Sequence, residues 1–306
     1  MHTGLKITAF AAALAATFGT AYGVGQGVAP VVEDRPPARH DTQHTDEAAE
    51  GGGGHEASPA GGLQISEGGY TLDLRTPRVT AGKQTELRFA IRDDSGRAVT
   101  AYRREHEKEL HLIVASRDLV TYRHLHPTRA ADGTWSIPVE LPRAGGYRVF
   151  ADFTPAKKGA ENLTLGADLA ASGPYEPKGL PSPSSIAGTQ GYEVELSGGL
   201  RPGAESELKL TVSRNGRPVT DLQPYLGAYG HLVALRSGDL AYLHVHPNST
   251  TKPGPDIFFT ATAPSSGTYR LFLDFKHEGT VHTTAFTVRA GQAAADEPAH
   301  DDGHGH

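Results

Sequence analysis

From Tyr70 to Val288 the chain is written in short runs of Val, Leu, Ile, Tyr, Phe and Thr, apolar at alternate positions and separated by Gly, Pro and Asn. A period of two marks a strand with one buried face, because successive side chains point to opposite sides of the pleat. No run keeps the spacing of an amphipathic helix for three turns. The clearest strands are TELRFAIRD (85–93), HLIVAS (111–116), LVTYRHLH (119–126), TWSIPVEL (134–141), YRVFADF (147–153) and NLTLGADL (162–169). Further on come LKLTVS (208–213), HLVALR (231–236), LAYLHVH (240–246), DIFFTATA (256–263), TYRLFLDF (268–275) and TVHTTAFTV (280–288). Asn215-Gly216 and, less sharply, Ser237-Gly238 suit two-residue hairpin turns. Pro138 interrupts one run and, having no N–H to donate, is expected at an edge or a bulge.

The two sets of strands correspond. GRAVT (96–100) matches GRPVT (216–220), and GGYRVFADF (145–153) matches SGTYRLFLDF (266–275), at an offset of about 120 residues. That offset is one domain long, so the chain carries a duplicated domain. Seven or eight strands in about 100 residues, closed by turns, predict an all-β fold of two tandem immunoglobulin/cupredoxin-like β-sandwich domains, spanning 66–172 and 191–290. The stretch 173–190, with SGPYEPKGLPSPSS at its heart, predicts a Pro-rich linker. Residues 33–65 read as a disordered tether holding His40, His44 and His55, and 291–306 as a disordered tail ending in three His. Residues 7–32 carry no charge. The segment 1–32 is therefore expected to be a single transmembrane anchor or, if cleaved near Ala21-Tyr22-Gly23, a signal peptide. Lys6 before it and Glu33 and Asp34 after it place the remainder outside the cytoplasm.

Composition narrows the chemistry. The 306 residues include no Cys and one Met, Met1, which removes disulfides, thiolate nucleophiles and sulfur ligands together. Lys and Arg number 29 against 35 Asp and Glu, a net charge of -6, and form no basic run, so no nucleic acid partner is expected. The 16 His gather in the tether, in the tail and around two HxHP runs.

VTYRHLHP (120–127) and LAYLHVHP (240–247) each have a His thirteen residues before the first His of HxH: His111 before His124, and His231 before His244. With a hairpin turn at Arg117-Asp118, His111 faces His124, and His126 lies on the same side two positions on. A turn at Ser237-Gly238 repeats the arrangement with His231, His244 and His246. Three imidazoles on one face form the donor set of an open zinc or copper(II) site, with nitrogen bonds of about 2.0–2.1 Å and a coordination place left over. Both trios are therefore the expected metal ligands. Leu112, Val114 and Leu125, with Leu232, Ala234, Leu243 and Val245, fall on the opposite face and read as core.

Asp152 and Asp274 hold matching places in FADF and FLDF, where a carboxylate either orients a ligand imidazole or ends a strand. His277 and His282 read as part of a solvated loop rather than a hairpin about Glu278-Gly279, and His106 reads as surface. No Ser-His-Asp set, phosphate loop or paired catalytic carboxylates occur, so no enzyme is expected. Two alternatives stand beside metal binding. One is a structural or protein-interaction module with non-ligand histidines; the other is a zinc-dependent hydrolase, since an open three-His zinc site makes hydroxide from water.

KELHLIVASRDLVTYRHLHP and GAYGHLVALRSGDLAYLHVHP resemble segments of bacterial exported heavy-metal-binding-domain or YtkA-like proteins. The resemblance covers both repeats. It implies β-sandwich repeats behind an N-terminal membrane segment and an extracytoplasmic role in metal handling, and it points to His111, His124 and His126, with His231, His244 and His246, as ligands. The lack of Cys and of interior Met departs from exported copper(I) carriers.

Overall fold

The structure is a computed structural model that describes residues 60–243, 245–248 (at His246 the backbone alone) and 252–291. The apolar segment 7–32, most of the tether and nearly all of the tail lie outside the described residues. Among the described residues there are strands and turns, and no helix long and apolar enough to cross a membrane.

The first repeat contributes β1 (Ser66–Glu67), β2 (Tyr70–Leu74), β3 (Arg78–Thr80), β4 (Gln84–Asp93), β5 (Tyr102–Arg103), β6 (Leu110–Ser116), β7 (Tyr122–Leu125), β8 (Thr128–Arg129), β9 (Thr134–Glu140), β10 (Gly145–Pro155) and β11 (Leu163–Ser172). The second contributes β12 (Ile186–Thr189), β13 (Tyr192–Ser197), β14 (Glu205–Arg214), β15 (Arg217–Pro218), β16 (Gly230–Arg236), β17 (Tyr242–Leu243), β18 (Val245–Pro247), β19 (Asp256–Thr262), β20 (Gly267–His277) and β21 (Thr280–Ala290). In the first sandwich a sheet of order β1-β2-β4-β9-β8 packs on one of order β3-β11-β10-β6-β7. In the second, β12-β13-β14-β19-β18 packs on β17-β16-β20-β21. The fold is all-β, with two tandem immunoglobulin-like sandwiches.

Alternation accounts for each core. Leu87, Phe89 and Ile91 of β4 meet Leu112 and Val114 of β6 and Val149 and Ala151 of β10, with Leu125 packed against them. Leu208, Leu210 and Val212 of β14 meet Leu232, Ala234, Leu243, Leu271 and Leu273, with Val245 beside them. Each such side chain contributes about 1.5–3 kcal/mol by leaving water. Pro138 pairs with Glu86 on one side. On its other side β8 reaches only Ser136 and Trp135, so the missing N–H breaks no ladder bond.

A third apolar cluster joins the sandwiches. The alternate residues of β6, Ile113 and Ala115, face outward with Leu119, Tyr122 and Phe150, and they bury Val233, Leu235, Leu240, Tyr242 and Phe272 of the second repeat. Tyr122 stacks on Phe272 with centroids 4.1 Å apart, and Phe150 lies 5.7 Å from Tyr242. Equivalent positions of the duplicated domain thus meet each other, as in an isologous dimer.

Two turn expectations need correction. Asn215 and Gly216, at φ 50° and 72°, do form a two-residue turn between β14 and β15. At Arg117-Asp118 and Ser237-Gly238 the loops are instead four residues long, closed by Ser116 N–H to Thr121 O and Arg236 N–H to Ala241 O at 2.9 Å. Ser116 holds the first loop by donating to Asp118 Oδ1 and accepting from Thr121 N. The tether expectation also shortens. Gly61 bonds Tyr242 in both directions at 3.0 and 2.9 Å. A Cβ at Gly62, where φ is +73°, would stand 2.4 Å from the Phe150 ring, so glycine here serves close approach to the inter-repeat seam.

Candidate metal centre

The longer loop moves the pairing of β6 with β7 by two residues. Ile113, not His111, lies opposite His124, and Ala115 lies opposite Tyr122. A shift of two preserves the face, because side chains alternate with period two. His111, His124 and His126 therefore still share a side. Their ring centroids are 5.3, 5.3 and 4.8 Å apart, and one nitrogen from each lies within 4.8 Å of the others. After Leu125 the chain leaves this sheet and joins β9 as β8, and Pro127, with no N–H, sits at the crossing.

The hydrogen bonds fix the tautomers. His111 Nε2 lies 3.1 Å from the Glu105 carbonyl, which only accepts, so the proton of a neutral His111 is on Nε2 and Nδ1 is bare. His124 Nδ1 donates to Asp274 Oδ2 at 2.9 Å, which leaves its Nε2 bare. These two bare nitrogens face each other at 3.1 Å. His126 Nε2 is buried and has no hydrogen-bond partner. Nitrogens bound to one ion at about 2.0–2.1 Å with a tetrahedral angle stand about 3.3–3.4 Å apart, close to the separation seen.

Electrostatics keeps His111 and His126 neutral. Burial, then the neighbouring His124, pushes His111 down to about 3. Burial, then His124 and His111, pushes His126 down to about 3 as well. Both are deprotonated at neutral pH, the form that coordinates.

Asp274 belongs to the second repeat. It is buried, and besides His124 it accepts from Thr283 Oγ1 at 2.5 Å and from Tyr122 OH at 3.5 Å. A carboxylate behind a ligand imidazole fixes its orientation and raises its basicity. Asp152 is the equivalent residue of the first repeat; Asn162 Nδ2 donates to it at 2.7 Å, and burial raises its pKa to about 6.

His231 stands where His111 stands in the first repeat, and its Nε2 donates to the Tyr225 carbonyl at 2.8 Å. Its ring lies 6.4 Å from His111 and 6.1 Å from His124, across the seam. Burial brings it down to about 4. His244 and the His246 side chain lie outside the described residues; the His246 backbone pairs with Thr260 in the other sheet.

A family model described as Domain of unknown function (DUF8832) matches residues 64–164 and 187–292, once per sandwich. The chain belongs to that family. No curated protein matches it. Among solved structures it is similar to FdeC, an Escherichia coli adhesin, at 16% identity and a TM-score of 0.24, covering 74% of this chain and 65% of that one. It is also similar to Yersinia pseudotuberculosis InvD, at 12% identity and a TM-score of 0.24, covering 75% and 62%. Domains 4 and 5 of the S-layer protein SbsC match at 11% identity and a TM-score of 0.23, covering 74% and 98%. The chain thus spans less than two thirds of the first two structures.

His277 and His282 are not in a solvated loop. Glu278 and Gly279, at φ 48° and 77°, close a two-residue hairpin, and His282 comes opposite Phe275. Both rings are buried: His277 bonds Tyr192 OH at 2.7 Å and Asp221 Oδ1 at 3.0 Å, and His282 bonds Gln190 Oε1 at 2.7 Å. His106 is exposed, yet its ring lies 6.1 Å from His111 and 5.1 Å from His231. Nothing in the spacing of the sequence brings His231 or Asp274 to the first trio; only the packing of one repeat on the other does, whereas His106 is set beside His111 by its own turn between Glu105 and Lys108.

Proposed function

We propose that this protein binds a divalent transition-metal ion, zinc or copper(II), through His111, His124 and His126, and that it buffers or delivers the ion outside the cytoplasm, as the resemblance to exported metal-handling proteins and the apolar segment 7–32 suggest. The observation that carries this reading is the pair of bare nitrogens 3.1 Å apart. Two lone pairs in that position repel unless a cation lies between them, and burial disfavours that cation being an extra proton on His111. A metal ion satisfies both nitrogens and also the orphaned His126 Nε2. All three donors are neutral nitrogen, which suits borderline ions over calcium or magnesium.

His126→Ala is the sharpest test. Its Nε2 makes no hydrogen bond, so truncation removes a ligand and breaks no network. In calorimetric titration of the full chain with zinc, the tight site should vanish while the melting temperature in chelator stays nearly unchanged. Unaltered tight binding in this variant would remove the trio from the metal site.

The metal-free protein should also lose stability on acidification. His111 and His126 titrate near 3 and His231 near 4 when folded, against 6.5 for an ordinary imidazole, so between about 6.5 and 4 the unfolded chain binds more protons. Their contribution is present above about 6.5 and declines as pH falls. Asp152 acts oppositely, since its raised value near 6 favours the folded state at low pH, but it is one group against three. Melting curves in chelator from pH 7 to 4 should fall, and a rising curve would contradict neutral, buried His111, His126 and His231.

A further inference from the structure

We propose that His106 and His231 form a second position for a divalent transition-metal ion, beside the trio, and that ions reach and leave the trio through it. This rests on the reading of His111, His124 and His126 as a metal site. The His106 and His231 rings are 5.1 Å apart, within the 4.8–5.3 Å spread of the trio itself. His106 lies farther from His111, at 6.1 Å, and His231 farther from His111 and His124, at 6.4 and 6.1 Å, so the pair defines a neighbouring position and not a fourth ligand on the same ion.

The donor chemistry matches. His231 gives its Nε2 proton to the Tyr225 carbonyl as His111 gives its own to Glu105, so His231 Nδ1 is bare in the same way. His106 is held in place by its turn. Glu105 and Lys108 bond each other at 2.9 and 3.0 Å around His106 and Glu107, at φ 49° and 64°. Two consecutive non-glycine residues in the left-handed region carry a conformational cost. The matching turn of the second repeat, between Tyr225 and Ala228, uses Leu226 and Gly227. The first repeat thus places an imidazole where the second has an aliphatic side chain, and that imidazole is the one aimed across the seam.

Space for passage exists. A cavity of about 310 Å³ is lined by His106, His231, His111 and His124, together with Glu105 and Asp152. A second cavity, of about 450 Å³, is lined by His106, Tyr229 and Asn248. His106 lines both cavities, with Pro247.

The test uses the full chain loaded with one equivalent of zinc, and it follows both uptake and removal by a chromogenic chelator in stopped flow. His106→Asn tolerates the left-handed turn and lacks the imidazole. It should slow both directions several-fold at unchanged equilibrium affinity. His106→Asp keeps the turn and restores a ligand atom, and it should recover most of the rate. Exchange at the parent rate in His106→Asn overturns the proposal, and so does equal slowing in His106→Asp, which would mark an effect of shape. The reading beneath it fails separately, if His126→Ala still holds zinc as tightly as the parent chain.

Discussion

Replacing Asp274 with Asn should weaken zinc binding by about 10–100-fold while both sandwiches stay folded. The carboxylate touches no ligand nitrogen that would face the ion; it acts through His124 Nδ1 at 2.9 Å. Asn keeps the shape but has no charge to support the imidazole, and its amide lets the ring choose the other tautomer, with the proton on the nitrogen meant for the metal. The readout is the rise in melting temperature on adding zinc. A loss of 10–100-fold in affinity is about 1.4–2.7 kcal/mol less stabilisation at a fixed excess of ion. An unchanged zinc-dependent rise would show that the cross-repeat carboxylate does not position the ligand.

Phe272→Ala should destabilise the protein by about 3–5 kcal/mol and, unlike a core change of equal cost, weaken zinc binding as well. Phe272 is buried at the seam and stacks on Tyr122, whose hydroxyl also reaches Asp274. Removing the ring opens a cavity between the repeats and frees Asp274 to move from His124. Phe89→Ala is the control: it lies fully buried in the core of the first sandwich, away from the seam. Its loss should cost a similar amount by denaturant titration, while the folded fraction keeps its zinc affinity. Equal zinc affinity in both variants would mean that the seam does not shape the site.

The trio was legible because it depends on parity. The loop after Ser116 is two residues longer than the tight turn its sequence suggests, and the facing partner of His124 is Ile113. The register moves by two residues, and a shift of two leaves every side chain on its own face. A slip of one would have sent His111 into the core with Leu112 and Val114. The loop length itself was not legible, since it depends on Ser116, Asp118 and Thr121 bonding one another, a choice the local sequence leaves open. The burial of His277 and His282 is hidden from the local sequence for a related reason. Glu278-Gly279 has the chemistry of a tight turn, but the burial that makes the hairpin firm comes from Tyr192 and Gln190, far away in the chain.

By itself the sequence determined the duplicated all-β fold, the two cores and the common face of His111, His124 and His126, all of which follow from a period of two within one repeat. The tertiary structure decided what lies across that face. The outward residues of β6 and β16 are apolar where a solvated sheet would be polar, so the repeats bury them against each other. That packing places Asp274 behind His124 and brings His231 beside the trio and against His106. Contacts between residues some 150 positions apart are set by the docking of two finished surfaces, and no local pattern along the chain encodes them.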